Sequence, residues 1–416
     1  MKLFLKQEFS HLNWTEKMEV IFLAAMLMAI PIDAGLCLFF ASCWFLSVML
    51  KNTILKRWSF FDWHQDKSYP YNRNAFMLIP MMLYWLAYLT SMLWTENLSS
   101  GWVKVGQSAW FFAIPLVCLC TDFRQISKRL LRAMLWLFVL TLTVVFFYLL
   151  TKAIITTHQT SSVFLKSGLN VFHNYIHYTY STLYIATGLA FLYTELIRKE
   201  KLSRGMLALL VFCACCMVIF VIMLNSRAGI LYLILLTLMC VLHTCFIRKK
   251  YRLSIIALVS ILALVAVFHF ILPEKLHRFS NTTSEIAHGD MSDSRFQIMY
   301  NAWTVVKEHP LLGVGVGDRE DSLVPLYGEQ NHVYNPHNQF LDTWLSTGVF
   351  GMLILWAMLL LPIMVAYKSK QLMPIMVNLL LIVGLMVESM LVRQMGIAFM
   401  TVINVYYLLL CDPLHK

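Results

Sequence analysis

Long apolar runs alternate with short polar breaks along this chain, at about 18–32, 34–50, 76–95, 107–121, 133–151, 178–196, 206–225, 228–247, 253–272, 340–366, 372–391 and 396–411. Each run reaches or approaches the ~20 residues that an untilted helix needs to cross a bilayer. The pattern predicts an all-α integral membrane protein with about twelve transmembrane helices. Two polar segments on one side are too long to be mere connectors: about 152–177, and about 273–339 between the ninth and tenth spans. Loops of that size carry function or fold into small elements. The chain therefore divides into a bundle of spans 1–9 (1–272), a loop (273–339) and spans 10–12 (340–416).

The loop has a pattern of its own. From Arg295 to Glu308, apolar residues at 296, 299, 302, 303, 305 and 306 form a helical stripe. Asp293 and Ser294 stand where a helix is capped, and His309-Pro310 where one ends. The glycines Gly313, Gly315 and Gly317 follow in a permissive stretch.

Composition supports the membrane reading. Hydrophobic residues make up 59% of the chain and charged residues 13%, against roughly 25% charged in soluble proteins. The net charge of +11 would suggest nucleic acid in a soluble protein, but here it follows from topology, and no nucleic-acid partner is expected. With the N-terminus inside and every run spanning, most of the 33 basic residues fall in cytoplasmic segments. The exceptions are Lys104, Lys152, Lys166, Arg227, Lys275, Arg278, Arg295, Lys307, Arg319 and Arg393. That asymmetry is the positive-inside rule, and an error of one span would invert it downstream. Both termini are expected in the cytoplasm of a bacterial inner membrane, with the two large loops in the periplasm. Met1 to Lys17 is mixed and polar, without the pattern of a cleaved leader, so the run after it reads as a first span. The ten cysteines lie in or beside apolar runs. They predict core residues, with neither a disulfide framework nor a zinc site.

Candidate chemistry gathers on the outer side. Pro336 favours extended geometry at Asn335 and a helix start after it, which puts His337 and Asn338 at a helix entrance on the membrane surface. An interfacial hydrogen bond is the plainer role for His337; a proton acceptor is the sharper one. Arg227, in Asn225-Ser226-Arg227-Ala228-Gly229, sits in an outer turn with almost no loop. It either snorkels to water or binds an anion. Arg295 opens the loop helix, where a surface salt bridge competes with the same role. Arginine recognises phosphate oxygens bidentately without losing its charge. His173 and His177 share a helical face by their spacing; they mark a polar helix end, a substrate contact or, with a third ligand, zinc. Glu388 and Arg393 flank a late outer turn and read as a structural ion pair. Asp318, Glu320 and Asp321 read as a solvated acidic run.

Three of these motifs together resemble the O-antigen ligase and polymerase superfamily. His337-Asn338 with Leu341, Gly348 and Gly351 is similar to its signature. Ser294-Arg295, Trp303 and Pro310-Leu311-Leu312-Gly313-Val314-Gly315 resemble its arginine helix and glycine turn, and Ser226-Arg227-Ala228-Gly229 its outer arginine motif. The matched region is roughly 225–351. The resemblance implies transfer of a glycan from undecaprenyl pyrophosphate to an acceptor hydroxyl, with Arg227 and Arg295 on the pyrophosphate and His337 at the acceptor. The expected reaction inverts the anomeric centre and uses no metal and no cofactor. The expected acceptor is lipid A–core, as in O-antigen ligase. Polymerisation of lipid-linked repeats and protein O-glycosylation share the donor motifs and stay open. A secondary anion transporter is the rival of another class, but such proteins place charge at the midplane between two similar halves, and no duplication is visible here.

Overall fold

A computed structural model describes residues 8–54, 74–121, 123, 125–160, 170–172, 174–198, 202–249, 251, 252, 255, 259, 294–326 and 335–411. Among these residues the structure is helical, with no strand. The helices are α1 (Trp14–Ala29), α2 (Ala34–Ile54), α3 (Ile79–Ser91), α4 (Leu98–Gln107), α5 (Trp110–Leu119), α6 (Lys128–Gln159), α7 (Tyr178–Leu196), α8 (Arg204–Leu224), α9 (Arg227–Leu242), α10 (Ser294–Glu308), α11 (Gln339–Lys368), α12 (Leu372–Val387) and α13 (Gln394–Cys411). Eleven of the twelve apolar runs coincide with helices; the run at 253–272 lies outside the described residues except for 255 and 259. Among the described residues, 7 helices can cross a membrane by length and composition, with shorter apolar helices at Ala75–Ser91 and Leu372–Val387.

Local chemistry sets the boundaries. Ser127, Ser203, Ser226 and Asn338 each stand just before a helix, with a side-chain oxygen accepting a backbone N–H of the first turn. Asn13 and Glu16 form a reciprocal capping box before α1. Two boundaries differ from the sequence pattern. The helix expected to end near 151 continues to Gln159, because Thr, Lys and His after the apolar run do not break it. The run at 107–121 becomes α5, joined by a short turn to the more polar α4. At the centre stands α13, buried at every residue from Ile397 to Cys411, as expected of a helix that is apolar all round.

Contacts between connecting segments sort into two ends. At one end Tyr175 Oη donates to the Ile32 carbonyl at 3.3 Å, Val316 N to Ser91 Oγ at 3.2 Å, and Tyr180 Oη to the Met390 carbonyl at 3.1 Å. At the other, Lys51 pairs with Glu19 at 2.7 Å, Arg132 with Glu195 at 3.1 Å, and Asn74 donates to the Cys411 carbonyl at 2.8 Å. Each of these contacts joins segments that the distribution of basic residues puts on one side. We call them the site end and the basic end.

The feature that positions the site is a break in α11. Gly348 interrupts the helix with φ 70 and ψ −169. The break frees carbonyls, and the 310–315 turn takes them up: Val314 N donates to Leu345 O at 2.9 Å and Gly315 N to Ser346 O at 3.1 Å. In return Val349 N donates to Pro310 O at 3.1 Å. A Cβ on Gly348 would collide with the Leu311 carbonyl, and one on Gly313 (φ +70) would lie 2.6 Å from Leu345 O. Both positions require glycine because of backbone conformation and contact together.

Candidate functional site

His337 precedes α11 in a left-handed conformation, φ 48. An Asx turn holds it there, with His337 N donating to Asn335 Oδ1 at 3.0 Å. Its Nδ1 lies 3.1 Å from Oε1 of Glu388, with the imidazole 23% exposed and the carboxylate 9%. Glu388 follows the last residue of α12 in extended geometry, so two helix ends present the acid and the ring to each other. The pairing expected of Glu388 was with Arg393; the carboxylate instead faces the histidine.

The other expected residues distribute as follows. Arg227 is exposed and is the first residue of α9, after left-handed Asn225 (φ 51) and the capping Ser226. Gly229 packs so closely on α7 that a Cβ would lie 2.6 Å from Thr182 Cγ2. Tyr232 places its hydroxyl against Gly384 of α12. Arg227 is five residues beyond Tyr232 toward the site end and Glu388 four beyond Gly384. The arginine backbone and Glu388 therefore both close the site end of neighbouring helices. His177 stacks on Tyr178 with ring centroids 4.5 Å apart and meets Tyr180 edge-on at 5.8 Å, beside the 388–390 turn. Arg295 lies in the first turn of α10, at the same end; its side chain is outside the described residues, as is His173. Asn338 caps α11, its Oδ1 accepting from Leu341 N at 3.1 Å, which gives it an architectural role.

Residues 210–356 match the O-antigen ligase family. The O-antigen ligase segment runs from α8 past the break in α11, and takes in Arg227, Arg295 and His337. The resemblance drawn from three separate motifs thus holds over the part of the chain that carries them. No curated protein matches the chain. With the apolar helices, the match places a segment similar to the O-antigen ligase family within a helical membrane protein.

Within the matched segment several residues are scaffold. The Pro-Leu-Leu-Gly-Val-Gly turn and Gly348 are two halves of one device, the turn filling the gap in the helix. Next to it lies a buried network that the sequence pattern missed. Arg319 Nη1 donates to Asp342 Oδ1 at 2.9 Å and Oδ2 at 3.2 Å, with the side chains 5% and 0% exposed. Its Nη2 pairs with Glu320, which also faces Lys104 at 3.7 Å. Burial alone would lower the arginine's pKa, but Asp342 and Glu320 raise it further, so the guanidinium stays charged. Partial burial pushes the Glu320 carboxyl up, while Arg319 and Lys104 pull it below its usual range on balance.

Gln339 extends this network, with Nε2 3.2 Å from Thr343 Oγ1 and Oε1 accepting from Leu391 N at 2.6 Å. Gln339 therefore ties the start of α11, two residues from His337, to the turn that carries Glu388. The acidic run is not simply solvated either. Asp318 accepts from Asn97 N at 2.6 Å and Glu96 N at 2.7 Å, and Asn97 Nδ2 donates to Asp321 at 2.8 Å. These contacts latch the loop to the turn before α4. A lone carboxylate at the end of the otherwise apolar α12 was the available signal for Glu388. Nothing in the local sequence marks Arg319 as buried.

Proposed function

We propose that this protein transfers a glycan from a polyprenyl-pyrophosphate carrier to a sugar hydroxyl at the periplasmic face of the inner membrane, as an O-antigen ligase acting on lipid A–core. The observation that carries this reading is the His337–Glu388 pair at the end of the bundle where Arg227 and the start of α10 also lie. Glu388 as carboxylate only accepts, so Nδ1 carries the proton and the lone pair of the neutral ring lies on Nε2. The acceptor hydroxyl loses its proton to Nε2 as its oxygen attacks the anomeric carbon. The anomeric bond to pyrophosphate breaks, and the leaving group departs with the electron pair. Glu388 stabilises the imidazolium that results. Arg227 and Arg295 neutralise the charge developing on the pyrophosphate, so the step is metal-independent and inverts the anomeric centre by single displacement. His177, at the same end, contacts the sugar or phosphate in this reading.

The test is reconstitution of the purified protein with lipid-linked glycan and lipid A–core. The expected result is the joined product, unchanged by a chelator and lost in Arg227→Ala, Arg295→Ala and His337→Ala. Arg227→Lys is also severely impaired where bidentate contact matters. A ladder of longer lipid-linked chains replaces the ligase reading with polymerase. Near-normal transfer by two of the alanine variants removes the site assignment.

A further inference from the structure

The loop helix α10 buries only part of its apolar stripe. Ile298, Ala302, Val305 and Val306 are buried, the last three packing with Leu323 and Leu345. Phe296, Tyr300 and Trp303 are 39%, 48% and 40% exposed, and with exposed Lys307 they follow one another at i, i+4, i+7 and i+11. Three aromatics and a lysine on one exposed helical stripe are the residue types that settle at a membrane–water boundary, rings at headgroup level and ammonium snorkelling outward. The stripe runs into Leu311 and Leu312, 61% and 53% exposed at the tip of the turn.

The depth of this surface follows from the helix break. All of α11 has 30 residues, about 45 Å of helix, which is longer than a hydrocarbon core of about 30 Å. The part from Val349 to Lys368 measures about 30 Å by itself. Gly348 therefore stands at the core boundary, and the first turns of α11 project beyond it. The Leu311 carbonyl and Leu312 nitrogen are the atoms nearest a Cβ on Gly348, so the turn lies at that same depth. Immediately below, Phe350 and Leu353 are 58% and 56% exposed on the face of α11 that lipid must cover.

From this continuity we infer that α10 and the 310–312 turn dock on the bilayer itself, with Leu311 and Leu312 inserted among the acyl chains and Tyr300 and Trp303 in the headgroup layer. The partner is the phospholipid surface of the leaflet at the site end. The contact fixes the loop helix at the height where the polar end of a membrane-borne donor emerges. It does not depend on the glycan-transfer reading, since it concerns burial in lipid and is measured without substrate.

The experiment places the photo-crosslinker p-benzoylphenylalanine at position 311 or 312 of the full chain, with position 353 as the lipid-facing reference. Membranes are irradiated, and the purified protein is weighed intact. Phospholipid adducts at 311 and 312, in yield comparable to 353, are expected. A covalent dimer, an adduct with another protein, or no adduct at sites where 353 reacts overturns the proposal. A second measurement leaves the turn unaltered: quenching of fluorescence by phospholipids brominated near the headgroup, compared between the native protein and Trp303→Phe in nanodiscs. The native protein is expected to lose more signal than the variant, and equal quenching of the two overturns the docking.

Discussion

At the residue scale the decisive contact is between two groups that are 51 positions apart in the chain. Replacing His337 by alanine removes a positioned proton acceptor, which is worth ~10²–10⁴-fold in rate. Glu388→Gln keeps an oxygen for the Nδ1 proton but removes the charge that steadies the imidazolium. We expect its kcat to fall part-way toward that of His337→Ala with KM little changed, and Glu388→Ala to fall further. An unaltered kcat in both Glu388 variants removes the carboxylate from the mechanism. A buried ion pair gives a second prediction, on stability. Asp342→Ala leaves the buried Arg319 guanidinium with the half-exposed Glu320 alone and costs up to ~3–5 kcal/mol, whereas Arg319→Met with Asp342→Leu removes the buried pair and costs less. Thermal unfolding in detergent reads the difference; equal losses in the two variants contradict a desolvated pair. Both residues stand in plain view in the sequence. Their partners do not, because each contact closes over a loop whose path the local pattern does not specify.

At the scale of elements, the break in α11 links the loop to the span. An alanine at Gly348 would hold a left-handed φ at a cost of ~1–3 kcal/mol before the collision with the Leu311 carbonyl is counted. Gly348→Ala is expected to release the 310–315 turn, seen as faster proteolysis within 294–326 and loss of transfer. Gly205→Ala, in open space, serves as the neutral comparison. Equal proteolysis of the two variants would show that the turn is held by something else. The helix at 294–308 was legible in the chain because its period of 3.6 is written in its own residues. Which of its apolar residues stay exposed was not. Of the stripe through 296, 299, 302, 303, 305 and 306, Ala302, Val305 and Val306 fit against Leu345 as its period implies, while the rings at 296 and 303 stay outward. Likewise the glycine turn announced flexibility, when its use is close backbone contact with a second element.

For the whole molecule, the hydrogen bonds at each end join segments that the distribution of lysine and arginine had assigned to one side. Reporter fusions test the orientation that this implies. Alkaline phosphatase, which is active only after export, should be active when fused after residue 326 and inactive after 248 or 369. The reverse pattern would put the proposed site in the cytoplasm and end the ligase reading. The sequence by itself determined that the chain is helical and lives in a bilayer, because hydropathy acts residue by residue against a fixed solvent. It also named the histidine and arginines, whose chemistry is carried in their side chains. Only the tertiary structure decided that Glu388 meets His337, that Arg319 is buried against Asp342, and that the loop seals a broken helix. Those outcomes depend on which distant segments become neighbours, and that is set by close packing and backbone hydrogen bonding across the whole fold.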